Sequence, residues 1–390
     1  MQRRALLTGM MALAVSQVAC QSSAAQRLRA SILKGSVPPQ MVSGLRQGLP
    51  DDVQFQSEIQ GTALDLFQQL QALHRPDQQG GWRLRWPWAA DPSEQRPTWV
   101  SLGDYWLTAA IQQGLVQSIP VGGLTQWRSL PEPWSPLVTR NDQGMADAEG
   151  AVWGAPYRWG CLVIAYARRP FEKLGWQPQI WTDLWRSELQ GRVIVPDHPR
   201  VLLGMVLKSL EASANQTSPQ TVTGIQDALA GLRSQVKAYA SRNYLEPLIR
   251  EDAWVAVGWS TDVCPVLDSY RQLAATVPAP GTLLSADLWV RPAPLETTNG
   301  PAELSKADQH WLDYWWLPET AVPMSLSSGG LSPRFLGPEA AQWLEADDIA
   351  PQGLLLPSPE QLAASDFLLP LPPTAVTEYA DLWQQLRQPS

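Results

Sequence analysis

Histidine and cysteine are scarce in this 390-residue chain, with three of each. His74, His198 and His310 stand far apart and share no ligand spacing, which argues against a structural zinc site. If Cys20 is taken by other chemistry, Cys161 and Cys264 are left to form one disulfide or to stay buried as free thiols. Both readings suit their apolar, strand-like surroundings. Basic charge is also short: 29 Lys and Arg against 37 Asp and Glu, a net −8, which argues against nucleic acid as a partner because phosphate binding needs clustered Lys and Arg. The acidic balance is compatible with a cationic ligand, and equally with a solvated surface kept for solubility. No G-x-S-x-G elbow, H-E-x-x-H, P-loop or G-x-G-x-x-G occurs, so no recognised motif supports an enzyme. Beyond the N-terminus no segment has the length and apolarity of a membrane span.

The N-terminus is different. Met1-Gln2-Arg3-Arg4 is followed by an almost unbroken apolar run from Ala5 to Val15. That run is too short to cross a bilayer, which takes about 20 helical residues, and has the length of a signal-peptide core. Residues 1–25 are therefore expected to be an export segment, by a Sec or a twin-arginine route. Gln17-Val18-Ala19-Cys20 puts a small residue before a lone cysteine, the pattern of lipidation at Cys20. Gln17 fits that signal poorly, so cleavage near Ser23-Ala24-Ala25 stays open. Under both alternatives the mature chain belongs in the periplasm or cell envelope, meeting the membrane only through a lipid anchor.

The roughly 365 residues that follow exceed one typical core and suit two domains. Short apolar runs (28–33, 98–102, 162–166, 192–196, 254–259, 285–290) alternate with amphipathic segments (39–47, 63–73, 104–113, 200–211, 221–238, 306–317), the pattern of α/β lobes. Pro38-Pro39 can open a helix, and Asp104 after Gly103 can cap one. A last helix over 374–387 places Val376, Tyr379, Ala380, Trp383 and Leu386 on one face. Twenty Trp against five Phe is the compositional outlier, and most of these indoles must be packing residues, since one ligand site uses only a few.

Several segments recur in a telling order. Tyr157-Arg158-Trp159-Gly160 starts an apolar strand, Trp181-Thr182-Asp183-Leu184-Trp185 follows, and Gly191-Arg192-Val193-Ile194-Val195-Pro196 ends at Asp197. Val37-Pro38-Pro39, Gly103-Asp104-Tyr105-Trp106, Val257-Gly258-Trp259 and Asp287 complete the set. Order and spacing together resemble the bacterial periplasmic polyamine (spermidine/putrescine)-binding proteins of ABC importers. The resemblance implies a type II periplasmic-binding-protein fold: two α/β lobes with mixed sheets joined by crossing strands, a ligand in the cleft between them, and a membrane permease as partner. The lobes are then expected to be discontinuous, residues 26–156 plus 286–328 and residues 157–285 plus 329–390.

A polyamine needs aromatic faces for its methylenes and carboxylates for its ammonium groups. The resemblance puts Tyr105 at an aromatic cleft position, Trp259 at a stacking one, and Asp287 at the carboxylate that holds an amine. Each has a plainer alternative: Tyr105 can pack under its own helix, and Trp259 can cap the core. Asp287, between Ala286 and Leu288, needs a partner, whether ligand, arginine or backbone donors. Asp104, Asp262, Trp159 and Asp197 follow as secondary candidates. Two departures weaken the cationic character. His198 and Val201 replace the acidic pair of the family's second-lobe loop, and Ile32-Leu33-Lys34-Gly35 replaces an aromatic segment. The leading expectation is a solute-binding component for an amine-bearing, polyamine-like ligand, with no cofactor. A less cationic solute such as an amino-acid derivative, or a degenerate fold with a structural or regulatory envelope role, remains the alternative.

Overall fold

The computed structural model of the chain describes residues 26–74, 96–294, 302–336 and 356–388. The export segment, with Cys20, lies outside them. The strands of three or more residues are β1 (Gln26–Leu33), β2 (Val53–Gln60), β3 (Trp99–Gly103), β4 (Ala155–Ala167), β5 (Val193–Val195), β6 (Val236–Tyr239), β7 (Val255–Trp259), β8 (Leu273–Thr276) and β9 (Leu283–Pro292). Helices of eight or more residues are α1 (Pro39–Gly48), α2 (Ala63–His74), α3 (Asp104–Gln112), α4 (Pro199–Ser209), α5 (Ile225–Gln235), α6 (Ser260–Ser269), α7 (Lys306–Tyr314), α8 (Pro318–Ser328) and α9 (Pro373–Arg387).

The strands pair in the order β2-β1-β3-β9-β4-β7-β5-β6, with β8 also on β4. β1 lies parallel to β2 and β3, and β7 parallel to β5, whereas β9 runs antiparallel to β3 and β4. The sheet is therefore mixed, and β4 is the strand that serves both lobes. Its first half pairs with β9, from Trp289↔Ala155 to Leu284↔Cys161. Its second half pairs with β7, from Trp259↔Leu162 to Val255↔Tyr166. All thirteen of its residues are buried. Leu162, Ile164 and Tyr166 face one core, Trp159, Cys161, Val163 and Ala165 another. A strand covered on both faces has no polar side, which is why its sequence reads as a continuous apolar run.

Where β4 passes between lobes, the chain returns beside it. Trp159 N donates to Leu331 O (2.9 Å) and Leu331 N to Trp159 O (2.7 Å). Gly160 has a steric reason: a Cβ there would stand 2.7 Å from Ser260 Oγ and 2.8 Å from Thr261 Cγ2, at the start of α6.

Most expected elements appear within a few residues of their boundaries, with instructive differences. The segment 221–238 ends its helix at Gln235 and continues as β6, and in 306–317 the helix α7 stops at Tyr314, with α8 starting just past the segment at Pro318. Strand β2 carries little apolar signal, because it is the sheet edge and mostly exposed. Asp104 does not cap α3: Gly103 holds the cap position and Asp104 is the first helical residue. On α9, Ala375, Tyr379, Leu382 and Leu386 are buried while Val376 is exposed, so the apolar stripe is rotated from the expected face.

Tryptophan accounts for much of the packing. Trp99, Trp134, Trp159, Trp181, Trp289, Trp311, Trp315 and Trp316 are all under 2 % exposed. Trp289 stacks on Tyr157 (4.2 Å, 17°) and meets Trp311 edge to face at 4.8 Å. Cys161 and Cys264 are buried and not joined in a disulfide, so of the two readings the thiol form holds, and burial pushes the pKa of each thiol up to about 12.

Candidate functional site

Asp104, Tyr105, Trp259 and Asp262 sit at element ends, and Asp287 lies within β9. Buried β3 delivers Asp104 and Tyr105 to the start of α3. Tyr105 is 47 % exposed and its ring meets His198 edge to face at 4.5 Å. This contact joins the starts of α3 and α4, since His198 caps α4, its Nδ1 accepting from Val201 N at 3.4 Å. With Nδ1 an acceptor, the proton of the neutral ring belongs on Nε2. Burial, and then the charge of Arg200, pulls His198 down to about 4, so the ring is neutral near pH 7.

Asp104 is buried. Its Oδ1 accepts from the Ser285 hydroxyl (2.9 Å) and from Tyr105 N (3.0 Å), yet burial still pushes its carboxyl up to about 7. Ser285 and Asp287 alternate on β9 with buried Ala286 and Leu288, so both look away from the core.

Asp287 stands opposite Arg158 in the β9–β4 register. Arg158 Nε donates to Asp287 Oδ2 at 2.7 Å, and Nη1 donates to Ser328 O at 2.8 Å and Gly35 O at 3.5 Å. Burial pulls the Arg158 guanidinium down, but Asp287, Tyr157 and Asp262 together outweigh it and the net direction is up. Asp262, in the first turn of α6, accepts from the Tyr244 hydroxyl at 3.0 Å; burial raises it, and both Arg158 and Asp287 act on it.

The structure thus brings Tyr105, Asp104, Asp287 and Asp262 into one connected polar region. Trp259 ends β7 beside it, partly buried and packed on the second-lobe core. Trp159 points the other way: it is 1 % exposed and its Nε1 donates to Ser332 O at 2.9 Å. Asp197 lies in the exposed loop before His198, where Arg387 Nη1 reaches its Oδ1 at 2.5 Å. Sequence reasoning left Arg158 unassigned. The available signal was a charged residue in an otherwise apolar strand, together with the need of Asp287 for a partner.

Among the described residues, no helix is long and apolar enough to cross a membrane, and no group of three His, Cys, Asp or Glu could hold a metal ion.

Residues 100–350 match the family model described as bacterial extracellular solute-binding protein. The putrescine/cadaverine-binding protein of Pseudomonas aeruginosa is 31 % identical over 119 residues, 30 % of this chain and 34 % of that protein. The spermidine/putrescine-binding periplasmic protein of Salmonella typhimurium is 22 % identical over 268 residues, 67 % of this chain and 70 % of that protein. Among solved structures, the spermidine/putrescine ABC transporter substrate-binding protein PotD of Streptococcus pneumoniae superposes with a TM-score of 0.71 at 18 % identity, covering 93 % of this chain and 98 % of that one. The Tp0655 (TpPotD) lipoprotein of Treponema pallidum gives 0.63 at 14 % identity, covering 93 % and 99 %. Both structural likenesses show the fold.

Proposed function

The chain belongs to the bacterial extracellular solute-binding protein family, and on that premise we propose that it is the substrate-binding component of an ABC importer, holding a small amine-bearing, polyamine-like solute between its lobes. The observation that carries this reading is the contact of Tyr105 with His198 across the junction, with Asp104 and Asp287 behind it. An aromatic ring backed by carboxylates offers a face for methylenes or a cation and acceptors for ammonium hydrogens. The names of the relatives, which bind putrescine, cadaverine or spermidine, support the same class of solute. Tyr105 and Asp104 are the residues we assign to the ligand, with Trp259 as the stacking face and Asp287, paired with Arg158, beside them. The contacts of Trp159 and Asp197 assign them to packing and to the α9 ion pair.

The lobes would comprise residues 26–156 plus 286–328 and residues 157–285 plus 329–390. Closure of one on the other would desolvate the solute from both sides. The solute would pass to a membrane permease without covalent chemistry. Export by the segment 1–25, with lipid on Cys20 or cleavage near Ala25, would place the chain in the periplasm or on the envelope.

A thermal-shift series with putrescine, spermidine and simple monoamines tests the reading. A ligand at 100 times its Kd stabilises the protein by about 2.7 kcal/mol, and Tyr105→Ala is expected to abolish that gain. No shift with any amine would overturn the assignment and favour a degenerate fold.

A further inference from the structure

Four carboxylates stand at or beside the junction, and each already has an internal partner. Asp104 accepts from Ser285 and Tyr105, Asp262 from Tyr244, and Asp197 from Arg387 at the surface. Only Asp287 is matched by a buried cation, and the pair is not sealed: the Asp287 side chain keeps 16 % of its exposure and that of Arg158 7 %.

The guanidinium is fixed by more than its counter-ion. Ser328 O and Gly35 O hold Nη1, and the aliphatic stem lies against Gly330, where a Cβ would come within 2.7 Å of Arg158 Cγ. Two chain segments, at Gly35 and at 328–330, would have to give way for it to leave. An ammonium group approaching Asp287 therefore meets a like charge that cannot swing aside, and the carboxylate it seeks is already neutralised.

We propose that Arg158 is a specificity-determining residue of the cleft: seated on Asp287, it supplies the positive charge that this carboxylate would otherwise draw from a solute, so that the second and third ammonium groups of a polyamine-like solute add little to its affinity. This rests on the reading of the cleft as an amine site. A single ammonium can be accommodated by the ring of Tyr105 and the remaining acceptors, whereas a second, at the far end of a chain of methylenes, finds no unmatched carboxylate among those named.

The test is a charge series at constant ionic strength: calorimetric Kd values for butylamine, putrescine and spermidine, with the full chain, Arg158→Met, and the double variant Arg158→Met/Asp287→Asn. The wild type is expected to bind the three within roughly threefold of one another, or to favour butylamine, and Arg158→Met to improve spermidine over butylamine by about tenfold or more. The double variant should lose that gain, because the freed carboxylate is its source. A purely structural Arg158 would change stability without moving the ratio. A wild type that binds spermidine more than about tenfold tighter than butylamine overturns the proposal without recourse to any variant. So does a folded Arg158→Met protein with an unchanged ratio, which leaves the amine reading intact. Absence of binding by all three amines in every form overturns the amine reading and this inference together.

Discussion

Tyr157 and Arg158 are neighbours on β4, and Asp287 and Trp289 stand two apart on β9, yet the two pairs build opposite environments. Tyr157 stacks on Trp289, which meets Trp311 and, through it, Trp315, in a dry aromatic cluster where the indole nitrogens of Trp289, Trp311 and Trp315 have no hydrogen-bond partner. Edge-to-face geometry makes this tolerable, since the positive ring edges meet negative ring faces. Arg158 instead spends its donors on Asp287 and on neighbouring carbonyls. The register slip between Asp287 and Leu288, which leaves Tyr157 unmatched, coincides with this change. Stability is concentrated on one side of the crossing strands and charge selection on the other, so mutations on the two sides should separate.

The largest effect is expected in the aromatic cluster. Trp289→Ala should cost about 3–5 kcal/mol in denaturant unfolding, while the relative affinities of the folded protein for different amines stay unchanged. A shift in those ratios would break the separation.

Asp104 lies on the polar side and should show itself through pH. Its carboxyl is raised from 3.8 to about 7 by burial, so between these values the folded chain binds a proton that the unfolded chain has lost. Its contribution to stability is full below about pH 4, falls as pH rises, and is gone above about 7. Asp104→Asn, which stays neutral and keeps an acceptor for Ser285 and Tyr105, should match the wild type near pH 4 and exceed it near pH 8 by up to about 4 kcal/mol. Equal denaturation midpoints for the two proteins at pH 8 would remove this residue from the argument.

Trp159 adjoins Arg158 but belongs with the core. Trp159→Phe deprives the buried Ser332 carbonyl of its donor and should cost about 1–3 kcal/mol without altering amine affinity. A weaker Kd would return it to the cleft. The smallest effect belongs to Asp197: its pair with Arg387 is exposed, and Asp197→Asn should change stability by no more than about 1 kcal/mol, with the difference vanishing at high salt.

Much of this was legible in the amino-acid order. The apolar runs marked β1, β3, β5, β7 and β9 because each is buried on at least one side, and Pro39 marked the start of α1 because its missing N–H costs nothing there. Edge strand β2 was not legible, having almost no buried face to pattern it. At the site, the need of Asp287 for a partner followed from its apolar neighbours. Which partner did not follow: Arg158 and Asp287 are 129 residues apart, and only strand pairing brings them together. The contact of Tyr105 with His198 likewise joins the starts of α3 and α4, which are far apart in the chain.

By itself the sequence determined an α/β chain without catalytic motif or metal-ligand spacing, in which most tryptophans serve packing, properties of composition, periodicity and local order that a linear chain carries directly. The order of its motifs added the resemblance to solute-binding proteins. The tertiary structure alone decided which carboxylates remain available to a solute. That depends on which charges meet, and through a folded interior charge pairing is set by register and crossing strands that no local pattern encodes. The same aspartate, legible from its neighbours as a residue in need of a cation, is already matched by an arginine of its own chain.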